Sequence, residues 1–133
     1  MTVVAKAEAS LTPRSPDPRA RPVLVVEDDA GVRAFLISVL QLQGYRVIAA
    51  ASGEEALQLL GNEPAQLAVL DVTLPGMDGF AIVEELAPDV PVIIVTGDPV
   101  GAYARTVGQA KRFQVLPKPV ASELLEHAVT AAL

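Results

Sequence analysis

The sequence has no cysteine and no tryptophan, one histidine, and only three Phe and two Tyr among 133 residues. Without cysteine there is no disulfide framework and no thiolate metal site, which fits a reducing compartment. The lone His127 falls in the last helical segment and reads as a surface or half-buried residue rather than a phosphodonor. No apolar run approaches the ~18 residues of a membrane span, and the N-terminus lacks the apolar stretch of a signal peptide. The expectation is a soluble, cytoplasmic protein. Basic residues are also scarce: 10 Lys and Arg against 16 Asp and Glu leave a net charge of −6. That excess argues against nucleic acid as the main partner.

What is present is apolar. Hydrophobic residues make up 51% of the chain, enough for the core of one domain and too many for wholesale disorder. The charge is unevenly spread. Residues 1–22 hold Lys6, Arg14, Arg19 and Arg21 against Glu8 and Asp17, net +2, which leaves six basic against fourteen acidic residues, net −8, in the rest. Pro13, Pro16, Pro18 and Pro22 share that first segment, and it shows no hydrophobic period. It reads as a Pro/Arg-containing N-terminal extension, with residues 23–133 as the domain proper.

From Val23 the pattern is regular. Val23 to Val26 is a continuous apolar run, as expected for a strand covered on both faces. Val32, Phe35, Leu36, Val39 and Leu40 follow at helical spacing, and Gly44 stops that helix. Tyr45 to Ala49 reads as a second strand. Ser52 and Glu55 have capping-box spacing and open a helix that ends before Pro64. Leu67 to Asp71 is strand three, Gly79 to about Leu86 a helix, and Pro91 to Thr96 strand four. Val100 to Gln109 reads as a helix weakened by Gly101 and Gly108. Phe113 to Leu116 is strand five, and Ser122 caps a last helix to about Ala132. Strand starts at 23, 45, 67, 92 and 113 are 22, 22, 25 and 21 residues apart. Five such units predict an α/β fold: a five-stranded parallel sheet, order 2-1-3-4-5, with helices on both faces.

In that fold every strand's C-terminal end lies on one edge, where ligands bind. Strand one ends in Glu27, Asp28 and Asp29, strand three in Asp71, strand four in Thr96, and strand five in Lys118. The order 2-1-3-4-5 makes these four strands neighbours. Several carboxylates in close quarters raise one another's pKa unless a cation joins them. Oxygen donors without Cys or His favour Mg2+ or Mn2+ over zinc. A hydroxyl at Thr96 and an ammonium at Lys118 add donors for an anion. The set suits phosphoryl transfer, in which catalysis is mostly positioning and charge neutralisation. Asp71 is then the natural nucleophile for an acyl phosphate. Asp29 reads as a helix N-cap and Asp78 as a turn residue before the third helix.

The stretches Val23-Leu24-Val25-Val26-Glu27-Asp28-Asp29, Leu70-Asp71-Val72-Thr73-Leu74-Pro75-Gly76-Met77-Asp78-Gly79, Ile93-Ile94-Val95-Thr96-Gly97 and Leu116-Pro117-Lys118-Pro119 together resemble the receiver domain of bacterial two-component response regulators. The resemblance runs from Val23 to the end of the chain. It implies a phosphorylation-switched signalling module, not an enzyme beyond its own phosphorylation and dephosphorylation. By the same resemblance, Asp71 takes a phosphoryl group from a histidine kinase or histidine phosphotransfer protein. Asp28 ligates Mg2+ directly, Glu27 assists, and the backbone carbonyl of Thr73 is a further ligand. Thr96 and Lys118 contact phosphoryl oxygens, and small Gly97 leaves the site open. Thr73 and Asp98 stand at positions that tune reaction rates.

One position departs from the pattern. Where the family often has Tyr or Phe three residues before the lysine, this chain has Val115, which cannot swing as a ring does. Tyr103 and Phe113 are the candidate substitutes. The expected module carries no output domain and acts on an unidentified protein target, either as a stand-alone regulator or as the receiver portion of a hybrid kinase. A Mg2+-dependent phosphatase with Asp71 as nucleophile is the enzymatic alternative. Thr73 counts against it, because haloacid-dehalogenase-like enzymes need a second Asp there. A flavin or nucleotide carrier would need a Gly-rich loop after strand one, which is absent.

Overall fold

A computed structural model describes residues 20–133. Five parallel strands, β1 (Val23–Val26), β2 (Val47–Ala50), β3 (Leu67–Leu70), β6 (Val92–Thr96) and β7 (Phe113–Pro117), form one sheet in the order β2-β1-β3-β6-β7. This is the expected 2-1-3-4-5 arrangement, with β6 and β7 as the fourth and fifth strands. Helices α1 (Ala30–Leu42), α2 (Gly53–Asn62), α3 (Gly79–Val83), α4 (Pro99–Arg105) and α5 (Ser122–Ala132) connect and follow them. A two-residue hairpin, β4 (Thr73–Leu74) and β5 (Met77–Asp78), interrupts the connection after β3.

Strands β1 and β3 are apolar throughout because alternate residues feed two separate cores. Leu24, Val26, Ala68, Leu70, Val92 and Ile94 pack with Ala56, Ile82, Val83 and Ala102 from α2, α3 and α4. Val23, Val25, Leu67, Val69, Ile93 and Val95 pack on the other face, against residues of α1 and α5. Every residue of β1 and β3 is fully buried. At about 25 cal/mol per Å2 of apolar surface, this burial is the main force holding the sheet between its helices.

Local signals set most boundaries. Ser52 Oγ accepts the Glu55 amide at 3.2 Å, while Glu55 Oε1 returns to the Ala51 amide at 2.7 Å, one residue before the cap itself. Ser52→Ala is expected to lower stability by about 1 kcal/mol. The check is urea unfolding with a shifted midpoint and an unchanged slope. Asp29 caps α1 and Asp78 caps α3. Gly44, at φ 92°, closes α1.

Several boundaries differ from expectation, most by one residue, and four of the differences have a clear local cause. The second strand begins at Val47, because the Tyr45 amide still bonds Leu40 O at 3.1 Å and belongs to the exit turn of α1. Helix α3 stops at Val83, where i to i−3 bonds from Glu85 and Leu86 tighten the chain towards the next strand. Helix α4 stops at Arg105, since Thr106 Oγ1 bonds back to the carbonyls of Ala102 and Tyr103 and Gly108 takes φ 83°. Ser122 does not cap α5: Ala121 holds the extended cap conformation, and the Ser122 hydroxyl donates to Glu123 instead.

Residues 1–19 of the expected extension lie outside the described residues. Its last three belong to the body: Pro22 O accepts the Gln66 amide at 2.9 Å, and Ala20 O accepts Arg46 Nη2 at 2.8 Å. Among the described residues, no helix is long and apolar enough to cross a membrane.

Candidate functional site

The C-terminal ends of β1, β3, β6 and β7 meet at one edge of the sheet. Parallel pairing puts Val26 beside Leu70, Leu70 beside Ile94 and Thr96 beside Pro117, so the residues after them converge. Asp71 follows β3 directly and is buried, its amide bonded to Val26 O at 3.1 Å. Its carboxylate is fixed at both oxygens. Oδ1 accepts the Thr73 amide at 2.8 Å, and Oδ2 accepts Lys118 Nζ at 2.8 Å. Lys118 lies just past β7, with its amide on Thr96 O at 2.8 Å and a cis peptide bond to Pro119.

Glu27 is fully buried, and its Oε1 is 2.9 Å from the same Lys118 ammonium. Its other oxygen accepts the Asp29 amide at 3.1 Å. Burial pushes the Glu27 carboxyl above its ordinary value, against the pull of Lys118 and the Asp29 amide. Lys118 goes the same way for another reason: desolvation works against its charge, but bonds to Asp71 and Glu27 outweigh it and raise its pKa. Asp28, one residue on, is exposed. Arg33 folds back from α1 to donate from Nη1 to the carbonyls of Glu27 and Asp28, at 2.8 and 3.4 Å.

Glu27, Asp28 and Asp71 each offer a carboxylate oxygen, and these atoms lie within 4.8 Å of one another. Glu27 Oε1 is buried against the Lys118 ammonium, 2.9 Å away. A cluster of carboxylate oxygens with no Cys or His beside it fits a hard divalent cation such as Mg2+.

Thr96 is buried at the end of β6, and its Oγ1 accepts the Asp98 amide at 2.9 Å. Asp98 caps α4 through a bond from the Gly101 amide to Oδ1 at 3.1 Å. Thr73 is exposed on the hairpin, and Gly97 is exposed with open space around it. Val115 is buried in the core on the α4 side. Of the two rings considered beside it, Tyr103 is exposed and Phe113 is buried, 6.1 Å from the ring of Phe80. His127 is exposed.

Three residues around the site were not singled out from the sequence. Arg33 is one. Gly79 is another: a Cβ there would stand 2.6 Å from Asp71 O and 2.6 Å from Val72 Cα, so only glycine lets α3 start against the Asp71 loop. Its place after Asp78 in the Pro-Gly-Met-Asp-Gly run was the available signal. The third is Arg105, whose guanidinium pairs with Asp78 Oδ2 at 2.8 Å and lies 3.9 Å from the centre of the Phe80 ring. Burial tends to raise the Asp78 carboxyl, but the Phe80 amide and Arg105 prevail and hold it below its ordinary value.

Residues 23–130 match the family described as the response regulator receiver domain. The chain is 40% identical over 117 residues to the sensor kinase CckA of Brucella abortus (strain 2308), covering 84% of this chain and 12% of that one. It superposes on the receiver domain of the hybrid histidine kinase CckA with TM-score 0.70 at 30% identity, covering 84% of this chain and 98% of that one. With the response regulator TrrA of Thermotoga maritima, in complex with Mg(2+)-BeF, the TM-score is 0.71 at 27% identity, with 85% and 99% covered. The chain spans half or less of the length of the curated relatives it matches.

Proposed function

Because the chain belongs to the family of response regulator receiver domains, we propose that it accepts a phosphoryl group on Asp71 and thereby changes its binding to a protein target. The observation that carries this reading is the buried Asp71 carboxylate, held by Lys118 and the Thr73 amide beside two further acids. Asp28, Glu27, Asp71 and the Thr73 carbonyl would hold Mg2+, which when bound offsets the negative charge gathered during transfer. The Mg(2+)-BeF complex of the similar TrrA supports that choice of ion.

The protein's own groups supply the rest. Lys118 and the Thr73 amide orient Asp71 so that one carboxylate oxygen faces the incoming phosphorus. A bond forms from that oxygen to phosphorus as the phosphorus–nitrogen bond of a phosphohistidine breaks, and the freed imidazole takes up a proton from solvent. Lys118 then pairs with a phosphoryl oxygen, and the Thr96 hydroxyl donates to another while still accepting the Asp98 amide. Thr73 and Asp98 flank the acyl phosphate and set how readily water reaches it. The donor is a histidine kinase or a histidine phosphotransfer protein, and the compartment is the cytoplasm. No nucleic-acid contact is part of the reading. The likeness to CckA favours a second form of it, in which this chain is the receiver portion of a hybrid kinase.

The test is incubation with a small acyl phosphate and Mg2+, followed by intact mass. A gain of one phosphoryl group that disappears with EDTA and in Asp71→Asn is expected. An equal gain in Asp71→Asn would sink the assignment.

A further inference from the structure

Helix α4 is tied to the Asp71 site at both of its ends. At its start, Asp98 caps the helix and donates its amide to Thr96 Oγ1. At its end, Arg105 pairs with Asp78 and lies over Phe80. Asp78 is the strand partner of Thr73 in the hairpin, and the Thr73 amide holds Asp71 Oδ1. Asp71, Thr73, Asp78, Arg105, α4, Asp98 and Thr96 thus form a chain of contacts along an open groove of about 510 Å3 lined by Thr73, Asp78, Thr96, Asp98 and Arg105. The path contains no residue of β7, and Val115 has no place in it.

We propose that Arg105 is a positioning residue for the phosphoacceptor, holding the hairpin so that Thr73 stays in register against Asp71 and linking that hairpin to α4. This rests on the reading of Asp71 as phosphoacceptor. Both functional groups of Thr73 in that reading, the amide on Asp71 and the carbonyl towards Mg2+, depend on where the hairpin lies. A hairpin of two-residue strands cannot hold itself. Leu74 and Met77 fix its inner side to the core, and Asp78 is its polar anchor towards α4, since Gly76 and Pro75 at the tip are exposed. Arg105 suits the task as lysine would not: its planar guanidinium pairs with the carboxylate and stacks on Phe80 at once. The same link works in reverse. Anything that shifts Thr73 on phosphorylation changes the anchor of α4, whose outer face exposes Val100 and Tyr103.

The experiment compares phosphorylation rates of the whole chain and its Arg105→Ala, Arg105→Lys and Arg46→Ala variants, using a small acyl phosphate, Mg2+ and intact mass. Arg46→Ala removes a similarly exposed ion pair, to Glu63 at 2.7 Å on the connection leading into β3. It controls for a general loss of stability. Arg105→Ala is expected to react about tenfold more slowly, as sub-ångström misplacement of reacting groups does. Its melting temperature should stay within about 4 °C of wild type, since half-exposed pairs add little to stability. Arg105→Lys should recover part of the rate. Raising salt should narrow the gap between wild type and Arg105→Ala, because the pair is screened. Equal rates in wild type and Arg105→Ala would overturn the proposal alone, as would equal slowing in Arg46→Ala. A wild-type chain that gains no mass would sink the phosphoacceptor reading and this proposal with it.

Discussion

Lys118→Met should destabilise the chain by about 3 kcal/mol, the lower end of what breaking a buried ion pair removes. Methionine fills nearly the same space but leaves no cation between Glu27 and Asp71. Glu27 is fully buried and Asp71 nearly so, whereas a quarter of the lysine side chain remains exposed, which is why the lower end applies. The loss should show in urea unfolding as a lower midpoint. It should also depend on Mg2+. A divalent cation among the three carboxylates replaces the missing charge, so adding it should stabilise the variant more than the wild type. A variant as stable as wild type in EDTA would show that the carboxylates are relieved in some other way. Phosphorylation of Asp71 should fall by about a hundredfold, the usual effect of removing one donor aimed at developing negative charge.

Gly79→Ala should do comparable damage by displacement. The added methyl would meet the backbone carbonyl of Asp71 itself, and neither backbone is the flexible end of a side chain. Such overpacking costs about 1–3 kcal/mol. The Asp71 loop or the start of α3 must then move, and phosphorylation should slow by up to about a hundredfold through misplacement. Gly61→Ala is the matched comparison, because a Cβ there meets nothing within 4 Å and the position lies inside α2. It should leave the rate unchanged. If Gly79→Ala also phosphorylates at the wild-type rate, the close approach to Asp71 is dispensable.

Much of this was legible in the sequence because the sheet is buried on both faces. Val23 to Val26 and Leu67 to Leu70 are apolar at every position, and runs this short, bounded by turn residues, read as central strands. The acids, Thr96 and Lys118 then stand out as polar groups at strand ends, and strand order alone brings them together. Short elements were less legible. Hairpin β4–β5 has no periodicity to read in two residues per strand, and α3 and α4 end where i to i−3 bonds, back-bonding and a positive φ take over from propensity. Side-chain pairing was not legible either. Nothing in the spacing of Asp78 and Arg105 announces that one will reach the other. The two contacts of Lys118, to Asp71 and to Glu27, were likewise not readable from spacing.

The division of the interior by the sheet has a consequence for redesign. Residues on α2, α3 and α4 share one packed layer, those on α1 and α5 the other, and the strands between contribute alternate side chains to each. Substitutions on opposite sides therefore share few neighbours, and their effects should combine almost independently. The layer beneath α4 can be recoded for a new partner while the α1–α5 layer is left as a fixed chassis.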